Sequence, residues 1–385
     1  MKIGLLGFGV VGRGVYEIVQ ARKDMKVTKV LCLEDINLPD AESVKDFREI
    51  LEDDTIDTVV EAMGGLHPAY EFVRAAIEAG KNIVTPNKAL VAAFYDELIP
   101  LAEKKGVSFR STAAVGGGIA WLSGLEHSRR VQKLTQVSGI MNGTCNYILD
   151  NMTRRGLGYD EVLKQAQALG YAEANPSTDV DGIDTWNKVI LSVNVAFGVN
   201  LDKTTVPVAG IRNIRAEDVE AFKAHGLVCK LMATGKQENG TCCAYVQPTL
   251  IQEGEPDSAV PANFNLITYV GEHSGRMSFY GQGAGRYPTA YNVVEDLVDV
   301  LEGKSFYGPC GEKVAADNSQ VLYRYYVRGG WDGGEAWGSG VITEPVSVTR
   351  MHAWLSSHPD AFIAALAESF GTPLQNDKKE SFNNR

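Results

Sequence analysis

The sequence predicts an α/β protein of two domains, the first built on a parallel, doubly wound sheet. A glycine-rich turn follows the first apolar strand, and strands then alternate with helices up to about residue 118. Near residue 131 this alternation gives way to a different pattern of strand, turn and helix. At 385 residues the chain is also long enough for two domains and an appendage.

The glycine-rich turn has the spacing of a dinucleotide-binding fingerprint. Gly7, Gly9 and Gly12 lie in the segment KIGLLGFGVVGRGVYEIVQAR (2–22), between an apolar strand and a helix. Gly7 would form the tight turn, Gly9 would let the backbone approach a pyrophosphate, and Gly12 would let helix and strand pack closely. The helix start, at Val10 and Val11, would offer free N–H groups to the phosphates. We therefore predict a Rossmann domain; the alternative is a glycine-rich turn that binds no ligand.

A second predicted strand, residues 27–36, carries an acidic residue where an adenosine ribose would lie. Glu34 follows Gly12 by 22 residues (34 − 12), the spacing at which a carboxylate hydrogen-bonds the ribose hydroxyls. Because such a carboxylate repels a 2′-phosphate, Glu34 favours NAD over NADP. The alternative is a solvated charge at the end of a strand.

Three further strands are predicted at 57–65, 81–88 and 108–118. In a doubly wound sheet the ligand contacts lie at the carboxyl ends of the strands. Gly64, Thr85 and Lys88 fall at such ends, and we interpret them as cofactor-binding residues. A solvated lysine at a helix start is the alternative for Lys88, although helix N-termini disfavour cations.

The segment GYAEANPSTDVDGIDTWNK (170–188) gathers carboxylates ahead of a lysine. Asp184 and Lys188 would share one face of a helix, with Glu173 and Asp179 just upstream. A surface ion pair and helix capping are the simple explanations, but the mostly apolar helix predicts a partly buried pair. A lysine among carboxylates can transfer a proton during reduction of a carbonyl, and the remaining carboxylates could hold an ammonium group. The predicted substrate is a small amino acid with an alcohol or aldehyde carbon.

Charge and hydropathy argue against several other classes of protein. The net charge of −11 disfavours nucleic acid as a partner. The longest apolar stretches are too short to span a membrane, and Met1 leads directly into a strand, so we expect no signal peptide and a cytoplasmic protein. The six cysteines show no CxxC spacing and are expected to be reduced thiols.

Several motifs, in order along the chain, resemble those of the homoserine dehydrogenase family. They are TPNKAL (85–90), AAVGGGI (113–119), GIMNGTCNYIL (139–149), AQALGYAEANPSTDVDGIDTWNK (166–188), VQPTLI (246–251) and GQGAGRYPTA (281–290). The resemblance covers residues 1 to about 304. It implies reversible NAD(P)-linked interconversion of L-homoserine and L-aspartate 4-semialdehyde. It also implies a Rossmann domain followed by an α/β domain that binds substrate and forms a homodimer or higher homo-oligomer.

The matching motif positions imply roles for individual residues. Lys188 would be the proton donor to the semialdehyde carbonyl, and Lys88 would orient the reactants or relay a proton. The implied substrate-binding residues are Glu173, Asp184, Asp179, Thr144 and Gly143. Gly285, near the start of a late helix, would reach back to the cofactor.

This chain departs from the family pattern at three informative positions. Glu34 stands where the family usually has an arginine, which further favours NAD. Thr112 stands where a glutamate usually helps to hold a structural sodium ion, whose other ligands are backbone carbonyls matching Val115, Gly117 and Ile119. Asn175 replaces a usual aspartate near the substrate. A related dehydrogenase acting on another small amino or hydroxy aldehyde is therefore the second hypothesis, and a non-catalytic NAD-binding sensor is the third.

The predicted domain organisation has three parts. Residues 1–130 form the dinucleotide-binding domain, completed by a helix near 288–303, and residues 131–287 form the catalytic and dimerisation domain. Residues 305–385 form a C-terminal extension of short strands, with helices near 351–356 and 359–370. A polar, disordered end is predicted to follow.

Overall fold

The computed structural model of the protein describes residues 1–238, 240–305, 307 and 310–367. It contains a six-stranded sheet and a nine-stranded sheet, each covered by helices. The predicted fold class, a Rossmann domain followed by a second α/β domain, is confirmed. Within the described residues, no helix is both long and apolar enough to cross a bilayer.

The first sheet is wholly parallel, with β1 at its centre and the strand order β3-β2-β1-β4-β5-β6. This is the strand order of a dinucleotide-binding Rossmann sheet. Its elements are β1 (Lys2–Leu6), α1 (Val10–Gln20), β2 (Lys26–Leu31), β3 (Glu42–Val44), α2 (Arg48–Leu51), β4 (Thr58–Glu61), α3 (Ala69–Glu78), β5 (Asn82–Val84), α4 (Lys88–Ala93), α5 (Tyr95–Lys105) and β6 (Phe109–Arg110).

All four strands predicted after the first are shorter than expected, and those at 57–65 and 81–88 are confined to Thr58–Glu61 and Asn82–Val84. The strand predicted over 27–36 ends at Leu31, because its neighbours β1 and β3 pair with it only that far. The strand predicted over 108–118 is confined to Phe109–Arg110 and is followed by a 3₁₀ turn over Thr112–Ala114. Gly116 and Gly117 then adopt positive φ angles of 84° and 53°, which turn the chain out of the sheet.

The second sheet is built around long antiparallel strands, with the order β12-β11-β7-β9-β10 at one side. Helix α10 packs on this sheet and is buried along nearly its whole length. The elements are α6 (Trp121–Arg129), β7 (Leu134–Ile140), α7 (Gly143–Arg155), α8 (Tyr159–Ala168), α9 (Ser177–Val180), α10 (Ile183–Phe197), β8 (Asn200–Asp202), α11 (Ala216–Ala224), β9 (Leu227–Glu238), β10 (Thr241–Gln252), β11 (Phe264–Gly271), β12 (Gly275–Gln282) and α12 (Arg286–Leu301).

Helix α12 returns to the first sheet and packs along α1. Val293 and Leu297 are fully buried in one core cluster with Val15, and a side chain on Gly14 would collide with α12. At the far end of α12, the buried guanidinium of Arg110 pairs with Asp299 at 2.5 Å. Helix α12 therefore contacts the Rossmann domain at two places, on α1 and at Arg110 of β6.

The C-terminal segment extends the second sheet. Strand β19 pairs in parallel with β10 and antiparallel with β15, giving the order β10-β19-β15-β17-β16. The elements are β13 (Lys313–Ala315), β14 (Leu322–Tyr323), β15 (Tyr325–Arg328), β16 (Glu335–Trp337), β17 (Gly340–Ile342), β18 (Val346–Ser347), α13 (Val348–Ser356) and β19 (Phe362–Leu366).

One predicted helix of this segment is wrong. Residues 359–370 were expected to be helical, but Phe362–Leu366 form strand β19, in which Phe362, Ile363, Ala364 and Ala365 are all buried. Two neighbouring strands supply its backbone partners, and this tertiary pairing outweighs the helical preference of an alanine-rich stretch. The predicted disordered end, NDKKESFNNR (376–385), lies outside the described residues.

Candidate active site

A single carboxylate, Asp184, lies between two lysines. Its two oxygens lie 2.7 Å from Lys188 Nζ and 2.9 Å from Lys88 Nζ. Lys188 follows one turn later on α10, as predicted, whereas Lys88 is the first residue of α4 and belongs to the Rossmann domain. Asp184, Lys188 and Lys88 therefore form a charged cluster where the carboxyl end of β5 meets the start of α10.

The two lysines differ in exposure. Asp184 and Lys188 are buried, at 4% and 6% exposure, while the side chain of Lys88 is 35% exposed. Burial alone would raise the pKa of Asp184, but the charges of Lys188 and Lys88 outweigh it and lower that pKa. The charge of Asp184 in turn raises the pKa of Lys88 against the effect of burial, and Asp179 and Glu173 add to that rise. Asp184 is therefore a fixed anion that keeps Lys88 protonated.

Asn142 positions the acidic residues and was missed as a functional residue in the sequence. Its Nδ2 donates to Asp179 Oδ1 at 2.7 Å and to Asp184 Oδ2 at 2.8 Å. Its Oδ1 accepts from the backbone N–H of Cys145 and caps α7. The preceding carbonyl, of Met141, accepts from Lys188 Nζ at 2.6 Å. The available signal was the asparagine immediately before Gly143, in an N-cap position.

Helix capping and a surface ion pair, the simple explanations for the acidic residues, do not account for Asp179 and Asp184. Helix α10 has Gly182 as its N-cap residue and no side-chain cap, so Asp179 and Asp181 do not cap it. Asp181 pairs instead with Arg212 at 2.7 Å near the surface. Burial raises the pKa of Asp179, and the nearby charge of Asp184 raises it further. Within the described residues, Asp179 forms no ion pair with a lysine and instead accepts a hydrogen bond from Asn142.

The other predicted substrate residues surround the cluster at different depths. Thr144 Oγ1 donates to the carbonyl of Tyr171 at 2.5 Å, which ties the start of α7 to the acid-rich segment. Gly143 lies so close to the Asn263 carbonyl that a side chain would collide with it. Glu173 is exposed, and its charge contributes to the raised pKa of Lys88, so it lies on the same side of the cluster as Lys88. Asn175 accepts from the backbone of Ser177 and serves as a turn residue.

The start of α1 has the shape that a dinucleotide requires. Gly7 has a φ of 92°, and a side chain on Gly12 would collide with the Gly7 carbonyl. No described atom lies within 4 Å of the positions that side chains would take at Gly9 and Gly64. Val10, at the same helix start, is 66% exposed. The residues present therefore fit a pyrophosphate at this helix N-terminus.

A buried glutamate, also missed in the sequence, orders the neighbouring loop. Glu61 ends β4 fully buried and accepts from Thr85 Oγ1 at 2.6 Å. It also accepts from the backbone N–H groups of Met63 and Gly64, at 2.8 and 3.1 Å. Thr85 therefore holds the loop through Glu61, and its hydroxyl is not free for a cofactor. The signal was a carboxylate at the end of an otherwise apolar strand.

The other predicted cofactor contacts lie around the same edge. Glu34 has a 77% exposed side chain and lies 3.7 Å from Arg13 of α1, so it does come close to the helix that follows the fingerprint. Lys45 donates to the Glu34 carbonyl and pairs with Asp35 at 2.9 Å. Gly285 is the N-cap residue of α12 and has a φ of 127°.

The carbonyls predicted to bind sodium are not a free set of ligands. Those of Gly117 and Ile119 accept hydrogen bonds from the side chain of Asn292, at 2.6 and 3.0 Å. Val115 is fully buried at the start of the same loop. The amide of Asn292 therefore already binds two of these three carbonyls.

Comparison with known proteins decides the family. The family model for the homoserine dehydrogenase NAD binding domain matches residues 7–111, and the homoserine dehydrogenase family model matches residues 121–298. The homoserine dehydrogenase of Bacillus subtilis is 36% identical over 349 residues, which cover 85% of this chain and 81% of that protein. The chain belongs to the homoserine dehydrogenase family. The resemblance predicted from the motifs is confirmed, and neither alternative function is favoured.

Two further relatives agree. The homoserine dehydrogenase of Synechocystis is 39% identical over 317 residues, covering 78% of this chain and 73% of that protein. The crystal structure of a homoserine dehydrogenase from Thiobacillus denitrificans aligns with a TM-score of 0.85 at 28% identity, covering 96% of this chain and 98% of that one. This alignment therefore extends over the C-terminal strands described above.

Replacing Asp184 with Asn tests whether this carboxylate holds the cluster together. The variant leaves the ammonium of Lys188 buried without its anion, so we expect a loss of about 3–5 kcal/mol in the free energy of unfolding. Asp181→Asn is the matched control, because it breaks a half-exposed pair and should cost less than about 1 kcal/mol. Urea denaturation measures both. Equal losses in the two variants would show that Asp184 has no special structural role.

Proposed function

We propose that this protein catalyses the reversible, NAD-linked interconversion of L-homoserine and L-aspartate 4-semialdehyde. The observation that carries the proposal is the Asp184 carboxylate bridging Lys88 and Lys188, at 2.9 and 2.7 Å, beside a dinucleotide-binding sheet. Membership of the homoserine dehydrogenase family supports the reaction, and the cluster supplies the groups that it needs.

Lys188 holds the reacting proton. Two of its three N–H groups are directed at Asp184 and at the Met141 carbonyl, which leaves the third for the oxygen of the substrate. NAD, when bound, supplies the acceptor or donor of the hydride. In the direction of reduction, Lys188 Nζ donates its proton to the aldehyde oxygen, and in oxidation it takes the hydroxyl proton back.

Lys88 orients the reactants. It reaches the same carboxylate from the first turn of α4, at the edge of the sheet where Gly64 and Gly9 leave room for the cofactor. Its raised pKa keeps it charged, so it positions a carbonyl or carboxylate oxygen of the substrate and is less suited to exchange protons.

The balance of charge favours an amino-acid substrate. Lys88 and Lys188 carry two positive charges, and Asp184, Asp179 and Glu173 carry three negative charges. The carboxylates outnumber the lysines, so a cationic group bound beside them is favoured, and the α-ammonium of homoserine is such a group. Glu173 is exposed and Asp179 is half-buried, and we propose that both accept hydrogen bonds from this ammonium. Thr144 and Gly143, at the start of α7, are proposed to contact the substrate as well.

We propose that NAD is preferred over NADP. Support comes from the carboxylate of Glu34, which is exposed beside α1 at the end of the second strand. Arg13 and Lys45 also lie there and would favour a 2′-phosphate, but each pairs with a carboxylate, Arg13 with Glu34 and Lys45 with Asp35. The local charge therefore favours the free hydroxyls of a ribose over a phosphate.

We also propose a homodimer that forms through β12. This strand is an edge of the nine-stranded sheet, and unpaired strand edges readily pair with another chain. Its side chains Met277 and Tyr280 are 44% and 55% exposed. A second copy of the chain would cover both the edge and these apolar groups.

Lys188→Ala tests the proposed reaction. We expect the rate of L-homoserine oxidation to fall by about 100-fold or more, since general acid–base catalysis contributes this much. The dissociation constant for NAD should stay unchanged, because Lys188 lies outside the glycine fingerprint. Lys164→Ala, an exposed lysine on α8, is the control and should keep full activity. A wild-type protein that binds NAD but does not oxidise homoserine would contradict the proposal.

Glu34→Ala tests the preference for NAD. Removing the carboxylate frees Arg13, so we expect the ratio of kcat/KM for NAD over NADP to fall by about tenfold, or roughly 1.4 kcal/mol. Glu52→Ala, an exposed acid elsewhere in the same domain, should leave the ratio unchanged. A wild-type enzyme that prefers NADP would overturn this part of the proposal without affecting the reaction itself.

Light scattering tests the assembly. The mass in solution should be twice the chain mass of 41.7 kDa, and Tyr280→Lys should shift the protein towards monomer by adding a charge to the proposed interface. Surface variants away from β12, such as Lys164→Ala, should leave the mass unchanged. A monomeric wild-type protein at micromolar concentration would contradict the proposal.

A further inference from the structure

One side chain of α12 forms hydrogen bonds to two carbonyls of the loop between the 3₁₀ turn and α6. Asn292 is 1% exposed, and its Nδ2 donates to the carbonyls of Gly117 and Ile119, at 2.6 and 3.0 Å. A side-chain amide carries two N–H donors on this nitrogen, so each carbonyl receives one. These are two of the three carbonyls at which the family resemblance places a sodium ion.

Thr112, at the position where the family usually has a glutamate ligand, forms hydrogen bonds to other residues instead. Thr112 Oγ1 lies 2.6 Å from Asp296 Oδ1 and 2.7 Å from the hydroxyl of Tyr307. Its backbone N–H donates to Asp296 Oδ2 at 2.7 Å. Asp296 lies one turn after Asn292 on α12, so a single helix face anchors both ends of the segment 112–119.

The orientation of the Asn292 amide follows from hydrogen bonding. With the amide reversed, Oδ1 would face two carbonyl oxygens, which are acceptors like itself. The observed orientation satisfies both carbonyls and both donors. Its cost is one buried acceptor, Oδ1, with no hydrogen-bond partner among the described residues. One unpaired acceptor costs less than three facing one another.

We propose that Asn292 takes the place of the structural cation in this chain, so that neither its fold nor its turnover requires sodium. An amide nitrogen donates hydrogen bonds and cannot ligate a metal ion, and here it lies within hydrogen-bond distance of the carbonyls that a cation would share. The residues of this site therefore do not fit the ion. This inference goes beyond the proposed reaction and does not depend on it.

The loop bound by Asn292 also contacts the segment that precedes α12, which contains a predicted cofactor contact. Gly118 donates its N–H to the carbonyl of Gln282 at 3.1 Å. Gly117 lies directly against Gly283, where a side chain would collide with that backbone. The segment 282–285 precedes α12 and contains the predicted cofactor contact Gly285. Asn292 is thus a positioning residue, which fixes one loop that in turn supports another.

The first test is the thermal unfolding of the full-length wild-type protein, without cofactor or substrate. The protein is dialysed into choline chloride, and sodium chloride is then exchanged for it at constant ionic strength. We expect Tm to change by less than about 1 °C, since a ligand that binds only the folded state must raise Tm. The ²³Na NMR linewidth should also be unaffected by the protein. A saturable, sodium-specific rise in Tm would overturn the proposal.

The second test removes the amide. In choline chloride, Asn292→Ala should lower Tm by several degrees, because two buried carbonyls lose their donors. Tyr291→Ala, the exposed neighbour on α12, is the control and should leave Tm within about 1 °C of the wild type. If Asn292→Ala does not fold, the isosteric Asn292→Asp serves in its place. An unchanged Tm in the amide variant would show that Asn292 does not hold the loop.

Discussion

The arrangement of the whole molecule depends on one carboxylate, that of Asp184. It is buried, yet it binds an ammonium group from each of two domains, at 2.7 and 2.9 Å. A buried charge is tolerated only when paired and hydrogen-bonded, and Asp184 meets this condition through Lys188, Lys88 and Asn142. The start of α4 and the start of α10 must therefore converge on the same point. That convergence places Lys188, the proposed proton donor, beside the edge of the sheet that fits a dinucleotide.

The two domains contribute by different physical means. The Rossmann domain provides space and backbone: its glycines leave the start of α1 open, and Glu61 uses its buried carboxylate to order a backbone loop. The second domain provides most of the charge, through Asp184 and Lys188 of α10 and the segment before it, to which the Rossmann domain adds Lys88. Helix α12 joins the two domains by packing on α1 and binding the segment 112–119. Because these contacts come from helices and strands, the charged groups are held on rigid elements.

The parts of the structure that were predictable from sequence are those set by local spacing. The glycine fingerprint requires a strand on one side and a helix on the other, and the pair Asp184–Lys188 requires only a helix. The contact between Lys88 and Asp184 could not be derived this way, because it joins residues far apart in the chain. Asn142 shows the same limit, because its N-cap position is a local signal whereas its hydrogen bonds to two aspartates are not.

The errors have the same origin. The segment 359–370 is alanine-rich and locally resembles a helix, but the gap between β10 and β15 makes it a strand. The strand predicted over 108–118 was too long because the chain leaves the sheet after Arg110 in a 3₁₀ turn, ahead of the turn at Gly116 and Gly117. Likewise, Thr112 alone could be recognised as a departure from the family, while its counterpart, Asn292, lies on a helix whose approach to the loop only the tertiary structure reveals.

A crystal structure of the protein with NAD and L-homoserine bound tests the central claim most directly. We expect the homoserine hydroxyl to lie within about 3.2 Å of Lys188 Nζ, as proton transfer requires, with Asp184 still bridging Lys188 and Lys88. The α-ammonium should lie against Glu173 and Asp179. A homoserine hydroxyl remote from Lys188, or a complex in which Asp184 releases either lysine, would contradict it.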